Sequence, residues 1–269
     1  AWLIARKRAP KSRNLYSQIG GGSPLRKITG QQAKALEDAL VDDGKYAVTF
    51  AMRYWPPYGD EAVKHLIGQG VTSIIAVSLY PHFSRATSGS SITHLKEAMD
   101  ELAPHLPFHT VPSWPKQSSY IRALAENIRA GLASFGGAPT EIVYSAHSLP
   151  VSFIEDGDPY VDHLTETIKE IEKATGIQGK LCYQSRSGPV EWLSPSTPEM
   201  LEDLAQDGCK NILMVPISFV SDHIETLYEI CILYRTQAEQ LGMRLEACES
   251  LNTNHLFIEG LRELILEIQ

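Results

Sequence analysis

His147 is the side chain in this sequence best suited to move a proton or touch a metal ion. It follows the apolar run Glu141–Tyr144 (EIVY), which reads as a buried strand. Within Ser145-Ala146-His147-Ser148-Leu149-Pro150 it lies between small residues and ahead of a proline, a setting that suits a ring pointing into a cleft. The second stretch that could do chemistry is Val215–Cys231, which carries Asp222, Glu225 and Glu229. Acids three and four apart lie on one face of a helix. There they repel one another unless something cationic passes between them.

A histidine with carboxylates is either a proton-accepting pair or the ligand set of a borderline metal. No third His or Cys stands at fixed-metal spacing, so a transient metal or proton traffic fits better than a structural ion. Each residue also has a plainer reading: His147 as a satisfied core histidine, Glu225 and Glu229 as a solvated helix face, Asp222 as a helix cap. Their common placement at strand ends favours the chemical reading. Ser145 and Ser148 flank His147, but no Gly-x-Ser-x-Gly elbow is present, which argues against a serine hydrolase. Arg53, Tyr54, Trp55 and Trp192 stand beside predicted strand ends and suit a flat, anionic, aromatic ligand; for the tryptophans, ordinary packing is the alternative.

The elements that must position these residues form an alternating series. Asn211–Ser218 (NILMVPIS) is a short apolar run, and Ile224, Leu227, Tyr228, Cys231 and Ile232 recur at helical spacing, which predicts a helix over Asp222–Leu241. Upstream, a short helix at Trp2–Arg6 precedes a basic loop. The run Ile19-Gly20-Gly21-Gly22-Ser23-Pro24 has no P-loop lysine and reads as a flexible turn where backbone approaches a ligand. A helix over Gln31–Leu40 leads to strands at Tyr46–Met52 (YAVTFAM), Ser73–Leu79 and Phe108–Val111, with helices at Glu61–Ile67 and Ser91–Leu102 and a Ser/Thr/Gly loop at Tyr80–Ser91. After Pro112-Ser113-Trp114-Pro115 the series resumes: helix Tyr120–Leu132, strand Glu141–Tyr144, helix Tyr160–Thr175, strand Lys180–Gln184, helix Pro198–Gln206, strand Asn211–Ser218, the acidic helix, strand Arg244–Ala247 and helix His255–Ile268. Apolar strands alternating with helices predict α/β architecture with parallel sheets covered on both faces. Two series of the same unit predict two similar halves, residues 1–112 and 113–254, with a ligand cleft between them. In that scheme the helix of residues 255–269 packs back on the first half.

At 269 residues the chain is long enough for one large domain or two smaller ones. A net charge of −8, with Arg6-Lys7-Arg8, Lys11 and Arg13 as the only basic cluster, argues against nucleic-acid binding. Cys182, Cys209, Cys231 and Cys248 have no CxxC spacing and read as reduced core residues of a cytosolic protein. No signal peptide and no spanning segment are visible.

Several long motifs together resemble the ferrochelatases: Tyr144–Pro150 (YSAHSLP), Gly157-Asp158-Pro159-Tyr160, Tyr183-Gln184-Ser185-Arg186-Ser187-Gly188-Pro189 with Trp192-Leu193, and Val215–Glu229 (VPISFVSDHIETLYE). The likeness extends upstream through Gly20–Leu25, Met52-Arg53-Tyr54 and Tyr80–Ser91 (YPHFSRATSGSS), in the family's order over essentially the whole chain. The resemblance implies two Rossmann-like halves around a porphyrin cleft and insertion of Fe2+ into protoporphyrin IX or coproporphyrin III, with release of two protons, in haem biosynthesis. Carried over by position, His147 is the active-site histidine and Glu225 its partner acid, both also touching the metal. Asp222, His223 and Glu229 form a proton and metal path, and Arg53, Tyr54, Trp192 and Ser185 contact the ring. A histidine of ordinary pKa, about 6.5, would be mostly neutral at cytosolic pH.

The expected partners are a porphyrin and ferrous iron as substrates, with no tightly bound cofactor. Hand-over of a hydrophobic ring at a bilayer surface stays open. The family's cysteine-bearing extension is absent, so no iron–sulfur cluster is expected. The sequence starts after the family's first strand and pocket lip, which leaves the first sheet a strand short and the pocket short of a wall. The competing readings are a chelatase for another tetrapyrrole or another divalent ion, and a non-catalytic porphyrin or haem carrier, which would have no use for the Asp222/Glu225/Glu229 file.

Overall fold

The structure, a computed structural model, describes the backbone of residues 2–268 and their side chains except those of residues 2–8 and 11. The cluster Arg6-Lys7-Arg8 with Lys11 therefore lies outside the described side chains. The first part of the chain contributes α1 (Trp2–Ser17), α2 (Leu25–Ala39), α3 (Gly59–Gly68), β1 (Ile74–Val77), a π-helical turn (Arg85–Gly89), α4 (Ser90–Leu102) and β2 (Phe108–Val111). The second contributes α5 (Ser118–Ala133), β3 (Glu141–His147), α6 (Val151–Glu155), α7 (Tyr160–Thr175), β4 (Gly179–Gln184), α8 (Thr197–Gln206) and β5 (Asn211–Pro216). It continues with a long π-helix (Glu225–Tyr234), α9 (Arg235–Gln240), β6 (Arg244–Ala247) and α10 (His255–Leu266).

Among the described residues every pairing between these strands is parallel, as the apolar strands predict. Strands β1 and β2 form one sheet, and β4-β3-β5-β6 form the other. The two halves are thus alike in pattern and unequal in size. Tyr46–Met52, expected as a strand, joins no ladder. Its apolar residues report burial and not pairing: Tyr46 and Val48 pack on the main core, and the Phe50 ring lies against Gly30 of α2. The basic loop expected after Arg6 is part of α1, which carries Pro10 within it. Part of the Tyr80–Ser91 loop winds into the π-helical turn, with Ser84 accepting from the Ala86 amide at its start.

Side-chain alternation distributes β3 and β5 between two cores. Ile142, Tyr144, Ala146, Leu213 and Val215 face the main core, which also holds Leu36 of α2, Leu40 just after it, Trp114, and Phe257 and Leu261 of α10. Val143, Ile212 and Met214 face a second core with Ile230 and Tyr234 of the long π-helix. Helix α10 packs on α2, α5 and β1. Among the described residues no helix is long and apolar enough to cross a membrane.

Candidate active site

Strand alternation and helix pitch together bring the candidate groups to one place. His147 is the last residue of β3 and shares its face with Val143 and Ser145, the face the long π-helix covers. The helical run expected from Asp222 is not α-helical there. Asp222 and His223 precede it, and a π-helix starts at Glu225. The wider π turn buries Thr226, Ile230 and Tyr234, four residues apart, and leaves the expected stripe of Ile224, Leu227, Tyr228, Cys231 and Ile232 half-buried. On the same spacing it directs Glu225 and Glu229 to the ends of β3 and β4.

His147 Nδ1 lies 2.8 Å from Glu225 Oε2. The His147 backbone is held on both sides: its amide donates to Ser218 Oγ at 3.0 Å, and its carbonyl accepts from the Tyr160 hydroxyl at 2.9 Å. With Nδ1 engaged, Nε2 remains for a ligand, and the side chain keeps 38% of its exposure. Behind the pair, Ser185 Oγ lies 2.9 Å from Glu225 Oε2 and 2.6 Å from Glu229 Oε2. Gln184, opposite His147 in the β3–β4 register, donates from Nε2 to Glu229 Oε2 at 3.2 Å. Its Oε1 accepts from the buried Ser145 hydroxyl, so the serine before His147 braces the site.

Charge follows this geometry. Burial disfavours the His147 imidazolium, yet the Glu225 hydrogen bond and the Glu225 and Glu229 charges outweigh it and raise the pKa above 6.5. His147 is therefore a stronger base than the ordinary histidine expected from the sequence. Burial also works against the Glu225 carboxylate, but the hydrogen bond and charge of His147, with help from His223 and Ser185, hold its pKa below the usual range. Glu229 is pushed up, by burial first and then by the Glu225 charge, against the Ser185 hydrogen bond.

The remaining candidates are placed unevenly. Asp222 does not stack on Glu225 and Glu229: its carboxylate accepts from Asn252 Nδ2 at 2.8 Å and Thr226 Oγ1 at 3.1 Å, because it lies before the helix begins. His223 donates from Nδ1 to the Ser221 carbonyl at 3.0 Å. That leaves its buried Nε2 without a hydrogen-bond partner, 3.8 Å from Glu225 Oε1, and burial lowers its pKa. Trp192 is tied to the segment after His147 by a bridge with Pro150, and its Nε1 donates to the Gly188 carbonyl at 3.3 Å. Arg53 donates to Ser90 Oγ at 3.1 Å, lies over the exposed Tyr54 ring, and lines a cavity of about 410 Å³ with Arg85, Ser90 and Thr93. Among the described residues no three His, Cys, Asp or Glu side chains are gathered to hold a metal ion.

Two features escaped the sequence. Ser185, expected against the ring, also directs its hydroxyl to both glutamates; no period marks a loop serine for that task. Asp158, quoted only within a motif, is a buried carboxylate that accepts from Ser84 Oγ, the Arg85 amide and the Tyr160 amide at 3.0, 2.8 and 3.1 Å. It fastens the π-helical turn of the first half to α7 of the second.

Comparison with known proteins agrees with this architecture. Two solved structures share the fold: SirB from Bacillus subtilis with Fe3+ (TM-score 0.64, 12% identity, 90% of each chain covered) and CbiX, the terminal enzyme for biosynthesis of siroheme in denitrifying bacteria (TM-score 0.63, 14% identity, 92% and 95%). In sequence, the chain is 62% identical to a ferrochelatase of Desulfotalea psychrophila over 99% of this chain and 83% of the relative. It is 49% identical to one of Geotalea uraniireducens over 97% and 82%. The Ferrochelatase family model matches residues 1–268, and on these grounds the chain belongs to the ferrochelatase family.

Proposed function

We propose that this chain inserts ferrous iron into a porphyrin, with His147 and Glu225 as the pair that receives the ring protons and touches the incoming ion. The observation that carries the reading is the 2.8 Å contact between His147 Nδ1 and Glu225 Oε2, which leaves Nε2 for the substrate. A free-base porphyrin is planar and keeps two inner N–H protons, so its nitrogen lone pairs are poorly presented to a metal. Bending the ring presents them, at a strain of roughly 1–5 kcal/mol drawn from binding elsewhere on the macrocycle. His147 takes a ring proton at Nε2, and Glu225 stabilises the imidazolium that results. One imidazole and one carboxylate also suit a divalent ion in transit, since they hold it less tightly than the closed four-ligand set of a structural site.

Glu229, reached through Ser185, and His223, 3.8 Å from Glu225, are assigned to a proton or metal path, with Asp222 apart from them on Asn252 and Thr226. Trp192, Arg53 and Tyr54 are assigned to the ring: the tryptophan by its tie to the segment after His147, the arginine by its cavity beside Arg85, which suits a carboxylate substituent.

The test is anaerobic metallation of protoporphyrin IX, and separately of coproporphyrin III, with Fe2+ or Zn2+, followed by absorbance. His147→Ala is expected to abolish insertion and retain porphyrin binding. Normal turnover in that variant would overturn the assignment, and bound ring that stays free base in the unaltered protein would favour a carrier.

A further inference from the structure

We propose that Ser185 is a positioning residue for insertion, its hydroxyl joining Glu225 to Glu229 as the link across which a proton passes between them. The inference rests on the insertion reading above. Its basis is a count of hydrogens. Ser185 Oγ carries one hydrogen, yet it lies 2.9 Å from Glu225 Oε2 and 2.6 Å from Glu229 Oε2, both hydrogen-bond distances. One hydroxyl hydrogen serves two ionised carboxylates only as a shared, weakened three-centre bond. The geometry is satisfied when one carboxylate carries a proton and donates it to Oγ, while Oγ donates to the other. Gln184 Nε2, 3.2 Å from Glu229 Oε2 and 3.4 Å from Glu225 Oε2, does not change the count, because it brings only donors.

The backbone indicates that the hydroxyl is aimed. Ser185 has φ 65°, in the left-handed region that glycine occupies without strain and a side chain occupies at a cost. It immediately follows Gln184, the last residue of β4, whose register sets it opposite His147. The left-handed residue lies where the strand end meets the π-helix, and its hydroxyl reaches the first and fifth residues of that helix.

The step balances. Once Glu229 has released its proton outward, a proton received by Glu225 from His147 moves to Ser185 Oγ as the serine's own hydrogen moves to Glu229. One O–H bond forms at Oγ, one breaks, and the serine remains neutral. Rotation of the hydroxyl back toward Glu225 resets the link.

The experiment compares Ser185→Gly and Ser185→Ala with the unaltered full chain, measuring kcat and the KM for protoporphyrin IX with Zn2+ and the thermal midpoint. Glycine removes the hydroxyl and relaxes the backbone; alanine removes the hydroxyl and keeps the backbone demand. Both are expected to lose roughly 10- to 100-fold in kcat with KM unchanged, and Ser185→Gly is expected to melt no lower than the unaltered chain. A rise in KM with kcat intact would place the hydroxyl on the ring and overturn the inference. So would an alanine variant that turns over normally while only the glycine variant fails, because the backbone would then be the requirement. An unaltered chain that binds the ring and never metallates it overturns the insertion reading itself, and the link with it.

Discussion

Glu225 sets the basicity of His147, and this makes a pH-dependent prediction at the scale of one pair. The raised pKa of His147 comes from Glu225 and Glu229 against burial, so Glu225→Gln removes the larger favourable contribution and leaves the burial. Followed by NMR, the imidazole is expected to titrate above 6.5 in the unaltered chain and at lower pH in Glu225→Gln. A base works in its unprotonated form, so kcat/KM is expected to fall as pH drops through the raised His147 value. For stability the signs are opposite for the two partners. His147, raised in the folded chain, contributes fully below 6.5 and loses that contribution as pH rises through its folded pKa. Glu225, lowered, contributes above 4.5 and loses it as pH falls through its folded value. The stability gap between the unaltered chain and Glu225→Gln is therefore expected to be widest between 4.5 and 6.5, measured by urea unfolding across that range. Both members of the pair were legible in the sequence, because each stands where a buried strand gives way to polar residues. The shift in basicity was not, since it depends on a contact between residues 78 positions apart.

At the scale of elements, the long π-helix is what the sequence concealed. Its residues satisfy an α-helical pattern well enough to predict a helix, but an i to i+5 hydrogen-bond ladder selects a different buried face from the same letters. Apolar periodicity reports that a segment is helical and does not report its pitch when both faces are partly covered. Its entry is held by Asn252, which stands at φ 45° and clamps Asp222 twice, accepting from the Asp222 amide at 2.9 Å and donating to its carboxylate at 2.8 Å. Gln32 of α2 completes the junction, donating to Ser221 Oγ and to the Asn252 carbonyl, both at 2.8 Å. Asn252→Ala loses the clamp and places a less tolerant residue in the left-handed region. Its expected cost is about 2–3 kcal/mol of stability, by denaturant midpoint at unchanged m-value. It is also expected to lower kcat, because the first turn of the π-helix carries Glu225; a variant as stable and as fast as the unaltered chain would show that the clamp is dispensable. The missing Tyr46–Met52 strand has the same origin as the misread pitch, since burial was legible and hydrogen-bond partners were not.

For the whole molecule, the alternation of apolar strands and helices was enough to predict parallel sheets and two halves, and the structure adds how the halves are joined. The main core is common to both: Leu36 of α2 and Leu40 just after it lie in one cluster with Ile142, Leu213 and Phe257. Trp114 Nε1 donates to the Ser78 carbonyl at 2.7 Å, and His82 of the first half meets Thr167 of α7 at 2.9 Å. Asp158 is the charged member of this seam, with its side chain fully buried and three donors converging on it. In Asp158→Asn the amide nitrogen turns hydrogens toward groups that are themselves donors, so at least one buried bond is lost at an expected cost of about 2–4 kcal/mol. Because the core is shared, that loss is expected to move one cooperative unfolding transition to lower denaturant, seen alike by tryptophan fluorescence and by circular dichroism. Two separated transitions would mean that the halves fold independently and that the seam only docks them. The same substitution reaches the chemistry through Tyr160, whose amide is held by Asp158 and whose hydroxyl holds the His147 carbonyl. A drop in kcat in Asp158→Asn with the His147–Glu225 pair untouched would therefore show that the joint between the halves helps to hold the base in place.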